Sequence, residues 1–166
     1  MVDIVQISTE THKQQVLALM DDYLAWTKTF MGDKLADVPT FEKVDDELSD
    51  LPGIFAPEKG GAFLLAYHDD QPAGCVALKK VNATTGELKR MYVSPDYRGK
   101  GIGWQLAQTW LTQAQALGYT KLVLDSHISM KKAHKIYQAL GFQQVPPPDD
   151  FPDALKSEVV FMEMTL

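Results

Sequence analysis

Apolar and polar positions follow two different spacings along this chain. Apolar residues recur at helical spacing in some segments and alternate at strand spacing in others. The predicted helices cover residues 9–31, 41–51, 104–117 and 129–140. The predicted strands are Val2–Ile7, Ala62–Tyr67, Ala73–Val81, Glu87–Val93, Lys121–Asp125, Phe142–Val145 and Glu158–Thr165. Because a helix separates Glu87–Val93 from Lys121–Asp125, these two strands are predicted to be parallel, in a sheet that is otherwise mostly antiparallel.

The turn between the Glu87–Val93 strand and the next helix is rich in glycine. It reads Arg98-Gly99-Lys100-Gly101-Ile102-Gly103. A strand that passes through glycines into a helix presents free backbone N–H groups at the positive end of the helix dipole, and such groups bind phosphate. The spacing fits neither the dinucleotide motif G-x-G-x-x-G nor the P-loop. The turn therefore predicts another phosphate-bearing ligand, and the alternative is a glycine turn that binds nothing.

These residues resemble the R/Q-x-x-G-x-G/A signature of the GNAT superfamily of N-acetyltransferases, which use acetyl-CoA. The order β-α-α-β-β-β-α-β-α-β-β also resembles the GNAT fold. The resemblance implies an α/β (α+β) fold with a single mixed, mostly antiparallel sheet, helices on both faces and a parallel strand pair splayed at the cofactor site. It implies one domain over residues 1–166. The residues implied at acetyl-CoA are Met91, Tyr92 and Val93 for the pantetheine arm, and Arg98, Gly99, Lys100, Gly101, Ile102, Gly103 and Trp104 for the pyrophosphate.

The resemblance also implies a general acid. The segment from Ala133 to Phe142 is similar to the family element A-x-x-x-Y-x-x-x-G-F, in which the tyrosine protonates the cofactor sulfur. This position is Tyr137, and the alternative is a packed aromatic residue whose hydroxyl has a partner. Met130 stands where many members have an asparagine, so the contacts of that asparagine are in doubt here. Ser126 or Ser129 is a substitute.

Glu87 is the predicted general base. It begins the strand that leads to the glycine turn, and it resembles in strand and offset the base glutamate of the histone-acetylating branch. The alternative is an exposed glutamate paired with a lysine. His127 is a second candidate because histidine titrates near neutral pH. Asp125 and Ser126 share its location and rank below it.

Charge and cysteine content narrow the range of partners. The net charge of −6 argues against nucleic acid, whereas residues 79–100 hold six Lys/Arg against two Asp/Glu, which suits a cofactor with several phosphate charges. Cys75 is the one cysteine and is predicted to be a buried structural thiol. No apolar run approaches a membrane span. We expect a cytoplasmic protein without a metal, and a homodimer is compatible with the sequence.

The predicted function is transfer of an acetyl group from acetyl-CoA to a primary amine, directly and in a ternary complex. The acceptor is a small-molecule or peptide amine. One alternative is a non-catalytic acyl-CoA-binding sensor, which does not need Glu87 or Tyr137. Another is acetylation of protein N-termini or lysines, which differs only in the acceptor groove.

Overall fold

A mixed sheet forms the centre of the fold in the computed structural model, which describes residues 1–41 and 43–166. The seven strands of the described part are β1 Val2–Gln6, β2 Ala62–His68, β3 Gln71–Lys80, β4 Thr85–Val93, β5 Lys121–His127, β6 Gln143–Val145 and β7 Val159–Thr165. Their order is β1-β2-β3-β4-β5-β7-β6, and only β4 and β5 are parallel. The helices are α1 Glu10–Met31, α2 Val44–Ser49, α3 Ile102–Ala116 and α4 Lys131–Leu140. The predicted mixed sheet is confirmed.

Alternation along the strands gives the sheet two apolar faces. On β2, Leu64 packs into the cluster that includes α3 and α4. Its neighbours Phe63 and Leu65 pack into the cluster with α1 and α2. The sheet therefore has helices on both faces, and a site between its strands is reached from both helical layers.

The chain departs from the predicted elements between α1 and β2. The helix predicted over 41–51 is shorter, because α2 covers only Val44–Ser49 and Pro39–Phe41 forms a 3-10 turn. Glu42, within that prediction, lies outside the described residues. The carboxylates of Asp45, Asp46 and Glu47 lie in the first turn of α2, where they interact favourably with the positive end of the helix dipole. Contacts with Lys89 and Arg90 place Glu47 next to β4 of the sheet.

Cys75 is fully buried in β3, as predicted for a structural thiol. Its Sγ lies 3.5 Å from the carbonyl oxygen of Arg90, and burial raises the pKa of the thiol above its ordinary value. An unreactive thiol follows. No helix in the described part of the chain is long and apolar enough to span a membrane.

Candidate active site between two diverging strands

β4 and β5 separate near the middle of the sheet. Their parallel pairing ends at Glu87 and Val123. β4 then bulges at Arg90, whose φ of 56° lies in the left-handed region, and its register with β3 shifts there. A bulge bends its strand and leaves part of the ladder unpaired. Beyond Glu87, the edge of β4 that faces β5 is therefore open.

A cavity of about 50 Å³ lies at this opening, next to the C-terminal half of α1. Much of its wall is aromatic or aliphatic: Tyr23, Met31, Val38, Phe41, Leu88, Met91, Met130, Tyr137 and Val159. The rest is polar or ionisable: Thr27, Lys89, Arg90, Asp125, Ser126 and His127. A small ligand in this cavity meets charges of both signs in largely apolar surroundings.

α4 places the predicted acid, Tyr137, in this wall. The residue is 3% exposed, and its ring lies edge-on to Phe142. Among the described residues, no group forms a hydrogen bond with its hydroxyl. The alternative, a packed aromatic residue whose hydroxyl has a partner, predicted such a bond. Burial raises the pKa of Tyr137, and nearby Tyr23 and Asp125 add to the effect. The hydroxyl is therefore protonated at neutral pH and available as a donor.

Asp125 is a carboxylate in the cavity wall. In the described part of the chain, nothing forms a hydrogen bond or ion pair with it. Burial, and after it Glu87, raise the pKa of Asp125 to about 6 against the lowering effects of Lys89 and Arg90. A carboxylate that titrates near neutral pH and faces a cavity suits proton transfer.

Glu87, the predicted base, sits at the last paired position of β4 and is partly buried. Strand alternation puts its side chain on the same face of the sheet as Asp125, whose pKa it raises. Within the described residues no cation lies within ion-pair distance of Glu87, and its charge acts on Lys89 from farther away. Asp125 lines the cavity and Glu87 does not. The role of Glu87 as the base stays a prediction.

Two consecutive basic residues of β4 contact one carboxylate of α2. Arg90 Nη2 lies 2.8 Å from Oε2 of Glu47, and Lys89 Nζ lies 3.8 Å from Oε1. Both residues are buried, and burial lowers the pKa of the Lys89 ammonium. The basic stretch of residues 79–100 was interpreted as a partner for phosphate. For Lys89 and Arg90 that interpretation is wrong, since both face α2.

The glycine turn forms a row of unpaired donors at the start of α3. Gly99 and Gly101 have φ values of 77° and 78°, a conformation that suits glycine. The N–H of Gln105 makes the first helical bond, to the carbonyl of Gly101. Among the described residues, the N–H groups of residues 99–104 have no acceptor. With the helix dipole, these donors fit the predicted phosphate.

The cations of this turn have different surroundings. Arg98 Nε donates to the carbonyl of Val93 at 2.9 Å, and its guanidinium lies 4.8 Å from the ring centre of Trp26. Arg98 therefore fastens the turn to α1. The Lys100 ammonium is exposed and lies 5.2 Å from the ring centre of Tyr97. Trp104 is 37% exposed in the first turn of α3, so the tryptophan is not in the core.

The predicted pantetheine segment lies at the open edge of β4. Met91 lines the cavity, whereas Tyr92 is buried against α1, with its ring centre 5.6 Å from that of Tyr23. The carbonyl of Val93 already accepts a hydrogen bond from Arg98. The backbone between Glu87 and Val93 therefore offers an extended chain an unpaired edge at the predicted place.

His127 is less suited to act as a base than its sequence position suggests. The backbone N–H of Ser129 donates to its Nδ1 at 3.1 Å, and Ser129 Oγ lies 2.7 Å from the same atom. This assigns the ring proton to Nε2 and occupies the basic nitrogen. Burial also lowers the pKa of His127. Ser126 Oγ is likewise engaged, 3.0 Å from Nε2 of His134.

Comparison with known proteins assigns the family. The model of the acetyltransferase (GNAT) family matches residues 20–142, most of the chain. The chain belongs to this family. An uncharacterized N-acetyltransferase of Schizosaccharomyces pombe is 29% identical over 129 residues, covering 77% of this chain and 78% of that protein. The N-acetylaspartate synthetase of Danio rerio is 31% identical over 106 residues, covering 63% of this chain and 38% of that protein.

A solved structure gives the same fold. The crystal structure of the PaiA N-acetyltransferase from Thermoplasma acidophilum, in complex with coenzyme A, has a TM-score of 0.72 with this chain at 19% identity. The match covers 100% of this chain and 99% of that chain. The sequence-based identification of the GNAT superfamily is confirmed, and the chain is an acyltransferase.

Sequence reasoning missed part of the site. Glu47 did not enter the prediction, Lys89 entered it only as part of the basic stretch of residues 79–100, and Asp125 was ranked below Glu87 and His127. One signal was present: Lys89 is a charged residue inside a strand of mainly buried positions. Its partner lies 42 positions earlier, in α2, where the helix prediction was least accurate, so the pair was not visible in the sequence.

Proposed function

We propose that this chain transfers an acetyl group from acetyl-CoA to a primary amine by direct attack in a ternary complex. The observation that carries the proposal is one cavity between diverging strands that contains both the Tyr137 hydroxyl and the Asp125 carboxylate. A proton donor on α4 and a proton acceptor on β5, both in the wall of one cavity, meet the needs of acyl transfer to an amine.

The donor half of the site consists of the glycine turn and the open edge of β4. The unpaired N–H groups of residues 99–104 and the Lys100 ammonium would hold the pyrophosphate. The backbone of Met91–Val93 would pair with the pantetheine arm. These residues fit a phosphate-bearing donor with an extended arm, because donors and strand edge are continuous along β4 and into α3.

The chemical step needs two proton movements. The amine nitrogen attacks the thioester carbonyl carbon, a C–N bond forms, and the C–S bond breaks. Tyr137 gives its proton to the leaving sulfur, which is also a tolerable leaving group as thiolate. Asp125 takes the proton of the amine, directly or through water, and burial together with the nearby charge of Glu87 raises the pKa of Asp125 to about 6. Glu87 thus serves the amine proton through Asp125.

A small amine-bearing molecule is the acceptor to test first. The cavity is small, and relatives such as the Danio rerio protein are named N-acetylaspartate synthetase. Release of the CoA thiol is measured with acetyl-CoA and a panel of amino acids, simple amines, polyamines and a peptide with a free N-terminus. Turnover of at least one amine supports the proposal. Acetyl-CoA binding without turnover on any acceptor contradicts it and favours the sensor.

A further inference from the structure

The cavity wall contains a buried cation, Lys89, with incomplete pairing. The residue is 8% exposed, and the 3.8 Å from its Nζ to Glu47 Oε1 exceeds hydrogen-bonding distance. Arg90 holds the other oxygen of that carboxylate at 2.8 Å. Among the described residues, none accepts a hydrogen bond from Lys89 Nζ. The carboxylates of Glu87 and Glu47 act on this ammonium without a hydrogen bond to it. A buried ammonium without a hydrogen-bonded anion is costly, so this wall favours an anionic ligand.

Asp125 lies across the opening from Lys89. The last pair of β4 and β5 joins Glu87 and Val123, and Lys89 and Asp125 each follow two residues later. Residues two apart on a strand share a face, so both side chains lie on the side of the sheet that α1 covers. Strands are about 4.8 Å apart where they pair and farther apart where they diverge. A ligand with a cationic and an anionic group a few bonds apart spans such a gap.

We propose that Lys89 binds a carboxylate of the acceptor while Asp125 receives its amine, so that the acceptor is an amino acid or a similarly small molecule with both groups. This inference rests on the proposed acetyl transfer and adds the substrate class. Tyr23 and Phe41 supply the apolar remainder of the wall. Lys89 is then a specificity-determining residue, and the reacting groups are those on the Asp125 side.

A purely structural role for Lys89, as counter-ion of Glu47, predicts a different behaviour. The short contact to Glu47 is made by Arg90, so Lys89 adds a longer and weaker interaction. An acceptor carboxylate would give Lys89 the charge-assisted hydrogen bond that the fold does not. An acceptor without a carboxylate would cover the ammonium and leave it unpaired, which discriminates strongly against that acceptor.

The first test uses the wild-type chain and matched acceptors. Alanine, aspartate and phenylalanine are each compared with the corresponding carboxamide and with the amine that lacks the carboxylate, by CoA release. We expect the acids to have a kcat/KM about ten- to a hundredfold higher. Equal or better use of the amides and amines overturns this inference and leaves the proposed function standing. No turnover with any amine, including polyamines and peptides, overturns the proposed function as well.

The second test is Lys89→Met, with Lys80→Met as the control at the exposed end of β3. Activity is measured at pH 8.5, where Asp125 stays ionised although the loss of Lys89 raises its pKa. There we expect Lys89→Met to raise KM for the acids about ten- to a hundredfold, with a small change in kcat and little change for the amides. Lys80→Met keeps the wild-type preference. A Lys89→Met enzyme that loses activity equally on acids and amides contradicts the inference. If Lys89→Met does not fold, the preference of the wild type for acids over amides and amines in the first test decides whether the inference holds.

Discussion

Asp125→Asn tests which group takes the amine proton. In the wild type the carboxylate has to be ionised to accept a proton, and the pKa of Asp125 is about 6 because burial and Glu87 disfavour the charge. At pH 5 about a tenth of the molecules hold it ionised, so kcat falls about tenfold between pH 7.5 and pH 5. Above pH 7.5 the group is fully ionised, and kcat is level.

Asparagine has the shape of aspartate and cannot accept the proton. General bases contribute about 10²- to 10⁴-fold to a rate, so we expect Asp125→Asn to lower kcat at pH 7.5 by about a hundredfold or more. The fall in kcat near pH 6 should disappear together with the group that causes it. Binding of acetyl-CoA should be unchanged, since Asp125 is on β5 and away from the glycine turn.

Glu87→Gln separates the two carboxylates. Glu87 raises the pKa of Asp125, so the Glu87→Gln substitution should move the fall in kcat to lower pH and leave the plateau of kcat above pH 7.5 unchanged. If Glu87 itself accepts the proton, the substitution lowers the plateau of kcat instead. Glu58→Gln is the matched control, because this exposed glutamate of the 3-10 turn Pro57–Lys59 is not among the charges that act on Asp125 and should leave the profile unchanged.

The assay is CoA release at saturating acetyl-CoA and acceptor between pH 5 and pH 9. The use of kcat keeps the ionisation of the free acceptor out of the profile. The charged or titratable groups that act on Asp125 are Glu87, Lys89 and Arg90 of β4, with Tyr23 of α1 and Tyr137 of α4. An Asp125→Asn enzyme that keeps the wild-type kcat and its fall near pH 6 refutes the assignment.

Three further predictions concern stability and the donor half. The pKa of Asp125 is raised on folding from 3.8 to about 6, so the folded state loses stability as the pH rises through this window. The shift lowers the free energy of unfolding by at most about 3 kcal/mol at pH 7.5. Asp125→Asn should therefore raise Tm by several degrees at pH 7.5 and by almost nothing at pH 4. An equal rise at both pH values contradicts the raised pKa. Tyr137→Phe should lower kcat about ten- to a thousandfold with little change in acetyl-CoA affinity, and an unchanged kcat removes Tyr137 from the mechanism. Gly101→Ala and Gly118→Ala should each lower the free energy of unfolding by about 1–2 kcal/mol, since both glycines have positive φ and open space for a Cβ; only Gly101→Ala should raise the KM for acetyl-CoA, by about tenfold or more.

The sheet could be predicted from the sequence because its signals are local. Strand alternation predicts the strands, and the helix between β4 and β5 predicts that these two strands are parallel; the structure confirms both predictions. The segment 39–55 was predicted less well. Its backbone makes short 3-10 turns around α2, and such turns have no periodicity for a sequence analysis to detect.

The site divides in the same way. The glycine turn and Tyr137 lie in contiguous motifs. The structure places Tyr137 in the cavity wall and the glycine turn between β4 and α3. The acceptor side depends on contacts between distant segments: Lys89 with Glu47, and Asp125 with the cavity. Asp125 is one of several polar residues at the end of a strand. Its raised pKa and the hydrogen bonds that engage Ser126 and His127 distinguish it from these neighbours in the wall.

The bulge at Arg90 connects the two halves of the site. In a regular strand, Lys89 and Arg90 would point to opposite faces. The positive φ of Arg90 lets both side chains reach Glu47 on the α1 and α2 side. The same bulge ends the regular register of β4 and opens the edge that faces β5. One backbone irregularity thus opens the strand edge for the donor and turns charged groups toward the acceptor, so a substitution that removed it should impair both.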